Sequence, residues 1–90
     1  EAASATDGKV TITWTAPTAT NFTEDAQLIA VLVQETSGMV EVVEAKATDL
    51  SAEGTLTFAA GSVDCYVYFL DKRGSNKIAS LSDYIEVTVA

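Results

Sequence analysis

The thirteen acidic side chains are the residues of this 90-residue chain with the widest choice of chemistry, because histidine is absent and cysteine occurs once. Ser-His-Asp centres, Cys-His centres and the usual zinc sites need several such side chains and are thereby excluded. Two carboxylates held across a cleft could hydrolyse a glycoside, but no spacing selects a pair. The sequence therefore predicts a protein that is not an enzyme, with a small acid-only hydrolase as the competing class.

Two acidic pairs have the oxygen atoms that calcium prefers, namely Glu24 with Asp25 and Glu41 with Glu44. Neither pair lies in a calcium-loop pattern. A solvated acidic surface that resists nonspecific association explains the same residues. We therefore predict no metal site and no cofactor.

A candidate binding pole combines Glu24 and Asp25 with the bases Lys72, Arg73 and Lys77. In a β-sandwich the loop after the second strand and the turn between the last two strands lie at one end, which would bring these side chains together. The simpler interpretation is a solvated hairpin tip with weak ion pairs. The functional interpretation is a recognition surface carried on loops.

The aromatic residues fall into two groups. Trp14, Phe58 and Phe69 occupy inward positions of predicted strands, so we expect them in the core. Tyr66, Tyr68 and Tyr84 are less settled, because two of them share a face that could be open to solvent. An open aromatic face would be the best surface for a carbohydrate or a protein partner.

Short strand-like runs position these residues. Residues 9–15 alternate strictly between apolar and polar side chains, and residues 27–35 are apolar on both faces, which favours a central strand covered on both sides. Residues 16–26 are predicted to form a loop, and one helical turn could form within 46–54. The sequence contains six strand-like runs in all, and the last has a polar interruption at 80–83. They are 9–15, 27–35, 40–45, 55–58, 63–70 and 77–89.

This pattern predicts an all-β antiparallel sandwich, because no amphipathic helix of useful length is present. The chain is short enough for one domain, 1–90, in which residues 1–8 are a linker or a weak first strand. Cys65 is expected to be a small buried residue. The predicted core contains Val10, Ile12, Trp14, Val31, Leu56, Phe58 and Val87.

The edge at residues 9–15 is a possible route to self-association. Residues 1–6 offer no large apolar side chain, so if they fail to pair, the next strand has an open edge able to accept another molecule. A formal charge of -8 opposes this, and we expect a monomer.

The charge and the apolar runs limit the partners. A pI near 4.1 repels nucleic acid and anionic membrane surfaces. The longest apolar run, 28–33, is far too short to span a bilayer. The start of the chain, Glu-Ala-Ala-Ser, looks processed or excised, and we favour a location outside the cytoplasm.

Several segments resemble fibronectin type III domains. The run 10–17, Val-Thr-Ile-Thr-Trp-Thr-Ala-Pro, resembles their second strand, and 65–70, the turn 73–75 and 85–89 resemble their last hairpin. The resemblance implies an immunoglobulin-like or fibronectin type III-like sandwich of about seven strands.

The chain also resembles the C-terminal region of an uncharacterised family of Bacteroidetes proteins. Asp25, Tyr66, Phe69 and a serine-rich segment ending at Tyr84 stand at the corresponding places. That family implies no activity. We therefore expect a structural or protein-interaction module of a larger bacterial protein, which binds a partner protein or neighbouring domains, with a carbohydrate-binding module that uses exposed tyrosines and polar loops as the alternative.

Overall fold

The computed structural model describes residues 2–15, 26–73, 76–79 and 83–90, and for 72, 73 and 76–79 the backbone only. It contains eight strands and one short 3-10 helix at Ala47–Asp49. No helix within these ranges is long and apolar enough to cross a membrane. The strands are β1 Ala2–Thr6, β2 Lys9–Thr13, β3 Gln27–Gln34, β4 Met39–Lys46, β5 Ser51–Glu53, β6 Gly61–Arg73, β7 Asn76–Ala79 and β8 Asp83–Val89.

These strands form two antiparallel sheets. The smaller sheet has the order β1-β2-β5 and the larger one β4-β3-β6, with β7 and β8 pairing successive parts of β6. Both β7 and β8 lie on the side of β6 away from β3, so the larger sheet is four strands wide. Counted as one strand position, β7 and β8 give seven antiparallel strands, three against four, and the all-β sandwich expected from the sequence is confirmed.

The first strand forms, so the condition under which the strand that starts at Lys9 would have an open edge is not met. β1 pairs with β2 along its whole length, and β5 pairs with the other side of β2. A two-residue turn, Asp7-Gly8, joins β1 to β2 with positive φ angles of 54° and 82°. Asp-Gly favours this type of hairpin turn, and it is the sequence signal that would have predicted the strand.

The core lies between the sheets and consists mainly of apolar side chains. β2 directs Val10 and Ile12 inward, and both are fully buried. Leu28 and Leu32 of β3 meet them from the larger sheet, together with buried Cys65 of β6. The predicted core residues Trp14, Phe58 and Val87 are also buried, and so is Phe69.

Two predicted core residues are wrong. Val31 is only half-buried, because its side chain lies on the side of β3 that faces away from the smaller sheet. Leu56 is 38% exposed. We call the solvent side of the larger sheet the outer face.

The predicted strand 55–58 is also wrong, and its place is taken by β5. Residues 51–53 pair with β2, and the 3-10 helix before them is the helical turn expected within 46–54. The N–H groups of Thr55 and Leu56 donate to the Glu41 side chain instead of to a strand. The alternation of Leu56 and Phe58 therefore does not form a strand.

Candidate functional site

A row of large apolar side chains crosses the outer face. Val42, Val31, Tyr66 and Tyr84 lie side by side in register, one from each of β4, β3, β6 and β8. Val42 is 55% exposed, Tyr66 43% and Tyr84 55%. Neighbouring exposed apolar side chains of this kind often mark an interaction site in a soluble protein.

A second row extends this patch and adds charge. Val40, which is 56% exposed, lies opposite Val33, and the row continues through Asp64 to Glu86. The patch therefore has an acidic border on its β6 and β8 side. We call its six apolar residues the outer band: Val31, Val33, Val40, Val42, Tyr66 and Tyr84.

The predicted aromatic face is thus partly open. Tyr66 and Tyr84 contact each other, with ring centroids 5.4 Å apart and planes tilted by 47°. Tyr68 lies two residues from Tyr66 on the same face but is only half-exposed. The Tyr84 hydroxyl donates to Oδ1 of Asp64 at 2.5 Å, and this hydrogen bond raises the pKa of Tyr84 to about 12. The phenol therefore stays protonated and is held in one orientation.

The predicted binding pole is only partly visible. Glu24 and Asp25 lie outside the described residues, so their approach to the bases is not tested. The backbones of Lys72 and Lys77 pair in register, and Arg73 pairs with Asn76, near the end of β6. The pole remains a prediction.

Glu41 and Glu44 do not form a site together. They stand three residues apart on β4 and therefore point to opposite sides of the sheet. The Glu41 carboxylate accepts the Thr55 N–H and hydroxyl at 2.8 Å each, and the Leu56 N–H at 3.3 Å. Its role is to hold the segment after β5 against β4, and among the described residues no acidic or cysteine cluster could hold a metal ion.

Cys65 occupies the core as expected. It is fully buried, and burial together with the nearby Asp64 charge raises the pKa of its thiol to about 11. At neutral pH the thiol is protonated and is a weak nucleophile.

Gln34 is a buried polar residue that the sequence analysis missed. Its Nε2 donates to the Ala59 carbonyl at 2.7 Å, and its Oε1 accepts the Ser37 hydroxyl at 2.6 Å and the Ala59 N–H at 3.2 Å. These bonds attach the segment before β6 to the end of β3. No residue pattern distinguishes such a glutamine from an exposed one, because its partners are distant in the chain.

A hollow of about 350 Å³ lies between the β1–β2 turn and the end of β8. Asp7 is its one charged side chain among the described residues, and Phe58 forms part of its wall. A single acidic side chain is not a catalytic pair, so the outer band is the better candidate site.

Comparison with protein-family models, with curated proteins and with solved structures gave no match to this chain. The candidate function therefore depends on the geometry of the outer band and on the chemistry of its residues.

Proposed function

We propose that this chain is a non-catalytic protein-interaction module that docks onto a partner protein, or onto neighbouring domains of its own polypeptide, through the outer band. The observation that supports this most is the in-register row Val42, Val31, Tyr66 and Tyr84, which runs across β4, β3, β6 and β8. Docking would remove its exposed apolar surface from water, which is the main source of binding free energy at most interfaces.

The composition of the outer band suits a protein partner. Tyrosine is enriched at interfaces, since its ring gives a large contact area at a low cost in side-chain entropy. The Tyr84 ring is held in place before binding, because its hydroxyl bonds to Asp64 and its ring contacts Tyr66. A pre-ordered aromatic side chain loses less entropy when a partner arrives.

The strand order supports assigning the sandwich to the fibronectin type III or immunoglobulin-like arrangement. Three strands, β1-β2-β5, face four strands in which β4 extends the β3 edge. Domains of this architecture commonly present or space other domains. The likeness to the C-terminal region of the Bacteroidetes family also belongs to this proposal. One of the residues that carry it, Asp25, lies outside the described ranges, so its place in the fold is not tested.

Site-specific photo-crosslinking in the native cells tests the docking proposal. A benzophenone amino acid at Tyr84 should crosslink to a defined partner or domain, and Tyr66→Ser should reduce that product several-fold. The matched control puts the same crosslinker at Thr13, which is exposed on the smaller sheet. Equal crosslinking from both positions, or a product that Tyr66→Ser leaves unchanged, would contradict docking through the band.

Carbohydrate binding is the second candidate. Two exposed tyrosine rings beside the Asp64 carboxylate are the observation that favours it, because sugars stack on aromatic rings and bond to carboxylates. The tilt of 47° between the rings makes a poor flat platform, which is why this candidate ranks second. A glycan array decides the matter: binding that both Tyr66→Ser and Tyr84→Ser abolish would support the sugar ligand over the protein partner.

A further inference from the structure

The open edge of the larger sheet lies along β4. β4 is the last strand in its order, and no strand in the described part of the chain pairs with its other side. It pairs with β3 over eight consecutive residues without a bulge, has no proline, and carries its one lysine at the C-terminal end. Its inward charge, Glu41, is already bound to Thr55 and Leu56. The usual protections of an edge strand are therefore weak here.

The hydrogen bond at the end of β4 shows which backbone groups face this edge. The Lys46 N–H donates to Oδ2 of Asp49 at 3.3 Å, so it points away from β3. In an antiparallel pair, residues that bond the neighbour alternate with residues that point away from it. By this alternation Val40, Val42 and Glu44 direct their N–H and C=O groups toward the open edge.

Asp49 occupies the Lys46 end, so the available stretch is 40–44, a length of about 17 Å. The same residues place their side chains on the outer face, where Val40 and Val42 belong to the outer band. A strand added at this edge would thus gain backbone hydrogen bonds and contact with the band at once.

We infer that β4 binds an extended, basic segment of a partner protein as an added antiparallel strand over residues 40–44. This deepens the proposed function and rests on it for the class of partner, although it uses the edge of the sheet and not its face. Residues directly opposite each other in such a pair contact on one face. In the bound segment, apolar residues therefore suit the positions opposite Val40 and Val42, and lysine or arginine suits the position opposite Glu44.

The direction of an antiparallel strand fixes the order of these residues. Read from its N-terminus, the bound segment has the pattern Lys/Arg-x-apolar-x-apolar. The residue opposite Glu41 lies on the inner side, near Thr55, so a small polar residue suits that position. The charge of -8 on the chain attracts a basic segment and speeds its association at low salt.

The test uses the acetylated and amidated peptide Thr-Lys-Thr-Val-Thr-Val-Thr and the ¹⁵N-labelled chain. We expect peptide-dependent amide shifts at 40–44 and slower hydrogen exchange at Val42 and Glu44. Methylation of the peptide nitrogens of its lysine and two valines should weaken binding at least about tenfold, because those N–H groups form the ladder. Replacing its lysine by glutamate should also weaken binding. Methylated and unmethylated peptides of equal affinity would overturn the inference.

Substitutions in the chain give a matched pair. Val42→Pro removes one outward N–H, which an edge strand tolerates, and should abolish binding, whereas Val42→Thr keeps the donor and should retain it. If Val42→Pro does not fold, the methylated peptide still decides the result.

Two further outcomes separate this inference from related ones. Shifts on Tyr66 and Tyr84 without shifts at 40–44 would overturn strand addition while leaving docking through the band in place. A dimer that the peptide does not dissociate would also overturn it, because the occupant of the edge would then be a second copy of the chain. Thr13→Ser, at a position that is exposed on the smaller sheet and lies outside the outer band, should leave peptide binding at the edge unchanged.

Discussion

Trp14 shows how one side chain can join two parts of this fold. It is 6% exposed, and its indole N–H donates to the Ala47 carbonyl at 2.8 Å. Its backbone N–H donates to the Leu50 carbonyl at 3.1 Å. The residue therefore fills the core and also fixes the 3-10 helix that leads into β5.

We expect Trp14→Ala to lower the free energy of unfolding by about 3 to 5 kcal/mol, because it leaves a large cavity in the core. This is a large part of the stability of a small domain. Urea denaturation followed by far-ultraviolet circular dichroism measures it. Val42→Ala, on the exposed face, is the control and should change stability by less than about 0.5 kcal/mol. A similar loss from both variants would contradict the role of Trp14.

The hydrogen bond between Tyr84 and Asp64 leads to a prediction about how stability depends on pH. The Asp64 carboxylate raises the pKa of Tyr84 from 10.0 to about 12, so the bond contributes stability at pH values below 10 and loses it as pH rises toward 12. We expect Asp64→Asn to lower the pKa of Tyr84, measured by NMR of its ring resonances. The fall in stability across that pH window should then be smaller.

Glu53→Gln is the control for this titration, because it makes the same change in net charge on the other sheet. It should leave the pKa of Tyr84 in place. If the pKa of Tyr84 were the same in the parent chain, in Asp64→Asn and in Glu53→Gln, the hydrogen bond would not form in solution.

At the scale of elements, Glu41 attaches the segment after β5 to the inner side of β4. Burial raises the pKa of Glu41, but the hydrogen bonds from Thr55 and Leu56 outweigh it and hold the pKa below its usual 4.5. The group therefore contributes stability above pH 4.5, and this contribution is lost as pH falls through the lowered pKa. The ionised carboxylate keeps the segment after β5 in place.

We expect Glu41→Gln to destabilise the fold by about 1 kcal/mol at neutral pH. Hydrogen bonds to a partly solvated carboxylate contribute less to the free energy of unfolding than hydrogen bonds to a buried one. Stability should also depend less on pH in the acid range. Denaturant titrations at several pH values measure both effects. Glu44→Gln, on the same strand but the outer side, is the matched control and should behave like the parent chain. Equal effects of the two substitutions would rule out the carboxylate bridge.

Gly54 completes this connection. It is buried, its N–H donates to the Val10 carbonyl at 2.8 Å, and a Cβ at this position would overlap the Glu41 carboxylate. We expect Gly54→Ala to destabilise the chain by about 1 to 3 kcal/mol. In a Glu41→Ala background the cost should be smaller, because the space is vacated. A double-mutant cycle measures the difference, and strict additivity would mean that the two groups do not touch.

At the scale of the whole molecule, the covered and open edges decide how copies of the chain meet. β1 covers β2, so the route to self-association that an unpaired first segment would have opened at residues 9–15 is closed. The open edge at β4 remains, and the charge of -8 keeps copies apart.

We therefore expect a single species of 9.4 kDa in sedimentation velocity at both low and high salt. Salt screens the charge, so a dimer that appears only at high salt would contradict this expectation and point to pairing between copies. Val42→Pro, with its outward N–H removed, identifies the β4 edge as the contact if it abolishes that dimer.

Local patterns alone were enough to predict much of the fold. The alternation of Val10, Ile12 and Trp14 indicates one buried face whatever the strand packs against, because successive side chains of a strand point to opposite sides. The tyrosines were identified as a candidate face for the same reason. The Asp7-Gly8 turn was also readable, but its hairpin was missed because small residues on either side gave little apolar signal.

Contacts between distant residues decided the rest. Leu56 and Phe58 alternate with polar residues as in a strand, yet the N–H groups of 55 and 56 donate to the Glu41 carboxylate. No local pattern predicts that contact. Val31 looks like a core residue in the sequence, but only the sheet shows that its side chain faces away from the smaller sheet. The outer band likewise exists only in register: its residues are spread from 31 to 84, and pairing of four strands brings them together, because hydrogen bonds between backbones determine which side chains become neighbours.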